Sequence, residues 1–440
     1  MDKVIDRTRP ATEIEDTART LAGSFGEKAA AHDNSDAFVA ENYASLKDAG
    51  LIAAGVPAEL GGGGVDIRTL CEMLRIIGGA CGSTGLALSM HTHQVAIPAW
   101  RWHHQDAARP IVEPLLRRVA AENLVLLTSG GSDWIGGSGK AERVEGGYRI
   151  TARKIFSSGA PAGDILMTGA ICEEDGEKTV LHFGVPMSAP EVRVLDTWRT
   201  MGMRGTGSHD VQIDGLFIAD DKIPLKRRAG EWHPAFQMIA TIAFPLIYSV
   251  YLGVAESARG IAIGIAGMKP VSPRTQSLAG RMDTALATAR MARNVMIEVA
   301  ERNAPSAETI NDVMMGRRMV EENAIRAVEL AMELAGGCKL LSLHRAGTAV
   351  PRHPGRAVSP AAERRAGRIR WCNGAWPTDR SHLLRATYMP IPCMASDGHR
   401  LLNRRKGFRH EDCNRSATAG LSEPRGKHGA RRRTGCASRG

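Results

Sequence analysis

Apolar residues in the first 120 positions recur at helical spacing. Ile67, Leu70, Leu74 and Ile77 are separated by three, four and three residues, which places them on one face of a helix. A glycine pair follows directly and predicts where this helix ends. Residues 1–120 are expected to be helical as a whole.

A second helix is predicted shortly before this one. It covers about Phe38 to Ala49 and ends at Gly50. The four consecutive glycines at 61–64 lie between the two helices, and no regular element tolerates such a run. We therefore expect a loop there.

The pattern changes to short strands from about Leu124. Tyr148 and Ile150 alternate with Arg149 and Thr151 after a glycine turn, which is typical of a half-buried strand. A middle segment of antiparallel strands is the expected result.

A further strand is predicted at Val211 and Ile213. It runs into Asp214-Gly215, and this dipeptide predicts a hairpin turn.

Helical spacing returns after Trp232, and prolines 270, 273 and 305 stand in the predicted breaks. The order of helices, a small antiparallel sheet and a helical bundle indicates an α+β fold with separate layers, not a Rossmann alternation. No G-x-G-x-x-G motif opens a helix after a strand. The predicted helices are 235–263, 276–301 and 309–335. The predicted domains are 1–122 (N-terminal helices), 123–230 (middle β domain), 231–340 (C-terminal bundle) and 341–440 (tail).

The segment Ala235 to Ala255 has 21 residues without a formal charge, which is long enough to span a bilayer. Polar residues and a proline interrupt it, so we expect a helix buried among other helices instead. The N-terminus lacks the apolar stretch of a signal peptide. Eight cysteines without C-x-x-C or zinc-site spacing favour a reduced, cytoplasmic protein without a metal site.

Four sequence blocks occur in an order that points to a known family. They are Pro57 to Gly64, Thr128 to Asp133 followed by Lys154 to Ser158, Met201 to Thr206, and Gly336-Gly337. In this order and spacing the chain resembles the acyl-CoA dehydrogenase family over roughly residues 35–340. Its third block is the most specific of the four.

The resemblance implies a flavin site on neighbouring loops. Thr128 and Ser158 correspond to hydroxyl residues that contact the flavin, and Ser157 belongs to the same cofactor-binding segment. Phe156 corresponds to the aromatic residue that packs against the isoalloxazine ring, and Ser132 to a residue near the CoA moiety. Short hydroxyl side chains suit this role because they donate hydrogen bonds without blocking a flat ring.

The resemblance also implies an activity and partners. We expect α,β-dehydrogenation of an acyl-CoA thioester by FAD, an electron-transfer flavoprotein or reductase as partner, and a homo-oligomer. A monooxygenase that takes reduced flavin or FMN from a partner, and a scaffold of the same fold without activity, are the alternatives. No catalytic base is assigned, because a family position of the catalytic carboxylate corresponds to Ala243.

Three other polar residues are candidates for chemistry. His91 and His93 would share a face on a strand, but a metal site needs more ligands than the nearby sequence offers. We expect them to line or flank a pocket wall. Glu256 is a possible base, although a paired or solvated charge is the simpler interpretation.

The charge of the chain is divided unevenly. Residues 341–440 hold 21 Lys and Arg against 6 Asp and Glu, a net of +15, and the remaining 36 and 41 give residues 1–340 a net of −5. The basic tail lacks nucleic-acid-binding motifs, so no nucleic-acid partner is expected.

The tail is better explained by a change of reading frame. Codons shifted by one base permit, from His344 through Ala362, the family-like stretch TGLERLFRDIQGARFHPLP. We therefore hypothesise a frame slip near residues 338–343, with read-through beyond the original stop. It predicts weak FAD retention and poor assembly for this polypeptide.

Overall fold

The computed structural model of this protein describes residues 9–133, 136–268 and 270–336. Within them five helices come first, eight strands follow, and three long helices come last, which confirms the α+β class and the layered order. The helices are α1 (Ala11–Ser35), α2 (Ala40–Asp48), α3 (Ile67–Ala80), α4 (Gly82–His104), α5 (Arg109–Glu122), α6 (Ala235–Ala266), α7 (Pro273–Glu301) and α8 (Ala307–Ala335). The strands are β1 (Leu126–Thr128), β2 (Lys140–Val144), β3 (Gly147–Lys154), β4 (Ile165–Glu174), β5 (Glu177–Pro186), β6 (Val192–Val194), β7 (Val211–Ala219) and β8 (Leu225–Arg228).

Side-chain caps mark where several helices begin. The Asp66 carboxylate accepts from the Thr69 N–H at 2.8 Å and starts α3. Ser272 and Ser306 form capping boxes with threonines three residues on, at the starts of α7 and α8. Pro273 is thus the first residue of α7, where its missing N–H costs nothing, and does not stand in the break as expected.

The eight strands form one sheet, which is larger than expected and is mixed. The order is β6-β7-β3-β2-β4-β5-β8, and β1 pairs with β4. The β1–β4 and β2–β4 pairs are parallel, whereas the other pairs are antiparallel.

The predicted hairpin at Asp214-Gly215 is wrong. Strand β7 continues through both residues and pairs with β3 on either side of them. The pairing register shifts between Ile150 and Thr151, opposite Asp214 and Leu216, so one extra residue is accommodated as a β-bulge. Gly215 has φ +77°, a conformation that glycine adopts without steric cost.

Helix α6 lies at the centre of the helical layers. It is the one described helix long and apolar enough to cross a membrane, and 72% of its most apolar window is buried inside the protein. It packs on α3 and α4 and also on α7 and α8. This confirms the prediction of a buried core helix.

The α3–α6 crossing depends on a very close approach. A Cβ atom on Gly253 would lie 2.1 Å from the Arg75 carbonyl oxygen and 2.9 Å from the Gly79 nitrogen. Only glycine allows the two backbones to meet at this distance.

The hypothesis of a frame slip and the predicted tail at 341–440 lie outside the described residues. The domain boundaries at 122, 230 and 340 remain predictions.

Candidate functional site

Two loops at one end of the sheet are joined by backbone hydrogen bonds. The Ser157 N–H donates to the His209 carbonyl, and the Gly159 N–H donates to the Thr206 carbonyl, both at 2.8 Å. The first loop follows β3 and the second precedes β7, and β3 and β7 are neighbours in the sheet. The pairing brings the Lys154 to Ser158 block against the residues that follow the Met201 block.

Three hydroxyl groups form a continuous chain between these loops. Ser158 Oγ lies 2.8 Å from Ser208 Oγ, and Ser208 Oγ lies 2.7 Å from Thr206 Oγ1. Thr206 Oγ1 donates to the Met203 carbonyl at 2.8 Å. Ser158 is half-buried, whereas Ser208 and Thr206 are 2% and 0% exposed. We refer to Ser158, Ser208 and Thr206 as the hydroxyl chain.

Phe156 presents its ring at the surface from a constrained backbone. Its side chain is 48% exposed, and its φ of +39° lies in the left-handed region that bulky residues avoid. The Phe156 N–H donates to Asp210 Oδ1 at 3.1 Å, and the Phe156 ring centroid lies 6.3 Å from that of Trp198. An exposed aromatic ring held in such a conformation is typical of a binding site.

Asp210 links the Phe156 loop to Arg153 at the end of β3. Its Oδ2 accepts from Nε and Nη2 of Arg153 at 2.8 and 2.7 Å, while its own N–H donates to Thr197 Oγ1 at 3.0 Å. Burial disfavours the charged form, but the Phe156 N–H and the Arg153 guanidinium outweigh it and lower the pKa of Asp210. The carboxylate is therefore ionised at neutral pH.

The Thr128 loop lies against the same aromatic ring. The position of a Cβ on Gly130 is 3.1 Å from Phe156 Cε2, so this loop contacts the ring directly. Thr128 is half-buried, and its hydroxyl donates to the Ser129 carbonyl at 3.2 Å. Ser129 Oγ in turn bonds Thr168 Oγ1 at 2.9 Å. The side chain of Ser132 lies outside the described residues.

A buried ion pair joins the two predicted cofactor-binding segments. Lys154 is fully buried, and its Nζ donates to Asp133 Oδ2 at 3.0 Å and to the Ser138 carbonyl at 2.9 Å. It also donates to the Gly169 carbonyl. Burial lowers the pKa of Lys154, and Asp133 opposes this shift. The pair fixes the start of the Phe156 loop relative to the end of the Thr128 loop.

The exposed side of this arrangement fits a flavin. Ser157 Oγ is fully buried and has no hydrogen-bond partner among the described residues. Buried polar groups are normally hydrogen-bonded, so this exception marks a place where a partner is missing. Ser158 places a second hydroxyl next to it, and Phe156 supplies an exposed aromatic face. An apolar ring edged with hydrogen-bonding groups suits a flat heteroaromatic ring whose edge carries polar atoms.

The two histidines have structural roles on a helix and do not share a face. Both lie in α4, where residues two apart point to different sides. The His91 Nδ1 accepts from the Leu126 N–H at 3.0 Å, so its Nε2 carries the hydrogen that bonds the Ile52 carbonyl at 2.8 Å. Burial lowers the pKa of both histidines to about 4. Among the described residues no cluster could hold a metal ion.

Glu256 is a paired charge, as the simpler interpretation expected. Its carboxylate accepts from Arg75 Nη1 at 2.6 Å and from Arg290 Nε at 2.7 Å. Ala243, near which the resemblance would place one of the family's catalytic carboxylates, is fully buried in α6. Neither position therefore offers an unpaired carboxylate that could take a proton from a substrate.

The sequence did not point to Ser208 or Asp210, although both follow the Met201 block within ten residues. Their importance depends on partners about fifty residues away. The alternation of short hydroxyl residues at Thr206 and Ser208 is the one signal that could have drawn attention to the second loop.

The fold and the loops define a class of protein, namely flavin-dependent enzymes built from helices, a middle sheet and a helical bundle. Two family models match: the acyl-CoA dehydrogenase N-terminal domain over residues 8–117, and the acyl-CoA dehydrogenase middle domain over residues 128–216. The N-terminal and middle parts of the chain are therefore acyl-CoA dehydrogenase-like, which confirms the resemblance that the sequence blocks predicted.

Relatives within this fold carry out varied chemistry. A pigment production hydroxylase from Rhodococcus sp. (strain ATCC 21145) is 32% identical over 49% of this chain, so the chain spans about half (52%) of that relative. An amino sugar nitrososynthase from Streptomyces peucetius is 26% identical over 68% of this chain and 77% of its own length. The FMN-bound structure of a dibenzothiophene monooxygenase from Paenibacillus sp. A11-2 has a TM-score of 0.66 at 20% identity, covering 82% of this chain and 91% of the other.

Proposed function

We propose that this protein is a flavin-dependent monooxygenase that receives reduced flavin from a separate reductase. The observation that carries the proposal is the pairing of Glu256 with two arginines, together with Ala243 at the family's carboxylate position. Dehydrogenation of a thioester needs a base for the α-proton, whereas oxygenation does not. The names of the hydroxylase and of the dibenzothiophene monooxygenase support the same choice.

The Phe156 surface and the hydroxyl chain would hold the flavin ring. Phe156 would pack against one face of the ring, and the half-buried Ser158 would bond its polar edge, with the fully buried Ser157 directly before it in the chain. The half-buried Thr128 approaches from the neighbouring loop, which Gly130 places against Phe156. FMN is the preferred cofactor, since a solved structure of similar fold contains it, and FAD is the alternative.

The overall reaction takes two electrons and two protons from reduced flavin, places one atom of O₂ on the substrate and releases the other as water. The protein has to bind the flat ring, orient a hydroxyl at its edge and exclude water from that edge. Buried Ser208 and Thr206 orient the Ser158 hydroxyl. The exposed apolar side chains of Phe156 and Met201 can exclude water once a bound flavin or substrate covers them.

The experiment compares oxygenation with dehydrogenation in one preparation. The purified chain is mixed with FMN, a flavin reductase, NADH and ¹⁸O₂, and dibenzothiophene and a dTDP-linked amino sugar are offered as substrates. We expect ¹⁸O in a product only when reductase and chain are both present. Separately, acyl-CoAs of several lengths are added anaerobically to the flavin-loaded protein.

Bleaching of the flavin absorption by an acyl-CoA without reductase would refute the proposal. It would favour α,β-dehydrogenation, the second candidate, which the two family models support. Failure to bind either FMN or FAD would refute both and favour a scaffold without activity.

A further inference from the structure

The hydroxyl chain has a property that an isolated serine lacks, because it can run in either direction. Each hydroxyl donates one hydrogen and can accept another. In the first direction Ser158 donates to Ser208, Ser208 to Thr206, and Thr206 to the Met203 carbonyl, as the 2.8, 2.7 and 2.8 Å distances allow. Ser158 then offers only lone pairs to a ligand.

In the opposite direction every donor is reversed. Thr206 donates to Ser208, Ser208 donates to Ser158, and Ser158 donates outward to a ligand. The Met203 carbonyl loses the Thr206 hydroxyl but keeps the Thr206 N–H at 3.1 Å and the Trp198 Nε1–H at 3.2 Å. The reversal therefore leaves no buried carbonyl without a donor, which would otherwise be costly.

The surrounding backbone keeps the chain intact in both directions. The bonds from Ser157 N–H to the His209 carbonyl and from Gly159 N–H to the Thr206 carbonyl hold the loops together on either side of the Ser158–Ser208 contact. They involve no hydroxyl, so reversal does not break them. Ser208 and Thr206 are too buried for water to replace them freely, being 2% and 0% exposed.

A flavin demands both directions at its N5 atom. Oxidised flavin has an unprotonated N5, which accepts a hydrogen bond, whereas reduced flavin carries N5–H, which donates one. We infer that Ser208 and Thr206 are positioning residues that let Ser158 donate to oxidised flavin and accept from reduced flavin. The inference rests on the proposed function, since it takes the flavin edge to lie at Ser158.

Loss of Ser208 should then affect the two redox forms unequally. With reduced flavin, Ser158 accepts from N5–H, and without Ser208 its own hydrogen has no acceptor in the chain. With oxidised flavin, Ser158 still has an acceptor at N5 and loses only a donor to its oxygen. Because an unfilled donor is less tolerated than a spare lone pair, binding of reduced flavin should suffer more.

The test measures the ratio of dissociation constants for reduced and oxidised FMN. Oxidised FMN is titrated by quenching of its fluorescence, and reduced FMN anaerobically by ultrafiltration. We expect Ser208→Ala to raise the ratio of reduced to oxidised Kd by about 3- to 10-fold, as the loss of one hydrogen bond implies. Thr206→Val should act in the same direction, because Ser208 then lacks its inner acceptor.

Two variants serve as controls. Thr206→Ser keeps the hydroxyl and should keep the ratio within about 2-fold of that of the unaltered protein, given the same bonding capacity. Ser89→Ala removes a fully buried hydroxyl that donates to the Leu86 carbonyl in α4, and it should also leave the ratio unchanged. Melting temperatures identify any variant that fails to fold, and the Thr206 pair decides the matter if Ser208→Ala does not fold.

An unchanged ratio of the two Kd values in Ser208→Ala and Thr206→Val would overturn the inference. This holds whether both Kd values rise equally, as a purely structural role predicts, or neither changes. In either case the proposed function is left standing. If the unaltered protein binds neither form of FMN or FAD, the proposed function fails and this inference fails with it.

Discussion

Asp210 should stabilise the strained backbone of Phe156, and its replacement provides a direct measurement. In Asp210→Ala the Phe156 N–H loses a charged acceptor at 3.1 Å, which costs about 1.5–3 kcal/mol. The Arg153 ion pair adds less, about 0.2–1 kcal/mol, because the Arg153 side chain is 55% exposed. We expect a total loss of about 2–4 kcal/mol.

The measurement is thermal unfolding followed by circular dichroism. If about 330 residues unfold together, the expected loss corresponds to a fall in Tm of about 3–6 °C. Asp210→Asn is the matched control, since its amide oxygen can still accept from Phe156 while the ion pair is lost. We expect it to cost about 1 kcal/mol or less.

A double-mutant cycle isolates the backbone strain. Phe156→Gly removes the penalty of about 1–3 kcal/mol for φ +39°, because glycine adopts positive φ freely. Asp210→Ala should therefore cost less in the unaltered protein, where its loss lets the strained backbone relax, than in the Phe156→Gly background, where there is no strain to release. Equal costs in both backgrounds would refute the claim that Asp210 holds a strained conformation.

The same carboxylate predicts a dependence on pH. The pKa of Asp210 is lower in the folded protein than the usual unfolded value of about 3.9, so the folded state binds the proton less well. Its contribution to stability is therefore complete above the unfolded pKa and disappears as pH falls through the folded pKa. The difference in Tm between the unaltered protein and Asp210→Asn should shrink between about pH 5 and pH 3. A constant difference would contradict the assignment.

Three further variants test other parts of the structure. Lys154→Met leaves the buried Asp133 carboxylate without its cation and should lower the free energy of unfolding, measured by chemical denaturation, by about 3–5 kcal/mol. Adding Asp133→Asn should restore part of that loss. Unchanged stability of the single variant would contradict the ion pair. Gly253→Ala forces a Cβ against the Arg75 carbonyl and should destabilise the fold by about 1–3 kcal/mol. Gly260→Ala in the same helix has open space around its Cβ and should not destabilise the fold. Similar effects of the two variants would argue against the close α3–α6 crossing. Glu256→Gln should lower the melting temperature, because Glu256 pairs with two arginines. FMN affinity should stay within about 2-fold, because Glu256 is not assigned a role as a base. Loss of flavin binding would contradict the purely structural role of Glu256.

Local sequence signals predicted the elements well where one segment alone decides its structure. The spacing of Leu70, Leu74 and Ile77 gave the buried face of α3, and all three are buried. The apolar run in α6 predicts a core helix because its polar residues and its proline do not suit a bilayer, and 72% of its most apolar window is buried. The order of the blocks was enough to predict the resemblance to acyl-CoA dehydrogenases, since it combines several weak motifs, and two family models confirm that resemblance over residues 8–117 and 128–216.

Predictions failed where the partner strand or element decides the outcome. Asp214-Gly215 is typical of a hairpin, but β3 pairs on both sides of it and makes it a bulge. His91 is predicted to line or flank a pocket wall, whereas it is buried in α4 and links the Leu126 N–H to the Ile52 carbonyl. Neither partner is close to these residues in sequence.

The sequence by itself determined the order of helices and strands, the family resemblance, and the Thr128 and Ser158 loops with their hydroxyl residues, because spacing and turn chemistry are local properties. Only the tertiary structure decided what those loops can do. The contact of Ser158 with Ser208, 50 residues apart, and of Phe156 with Asp210, 54 residues apart, exists because β3 and β7 are neighbours in the sheet. Hydrogen-bond direction and backbone strain arise from that pairing, and neither has a signature in the order of residues.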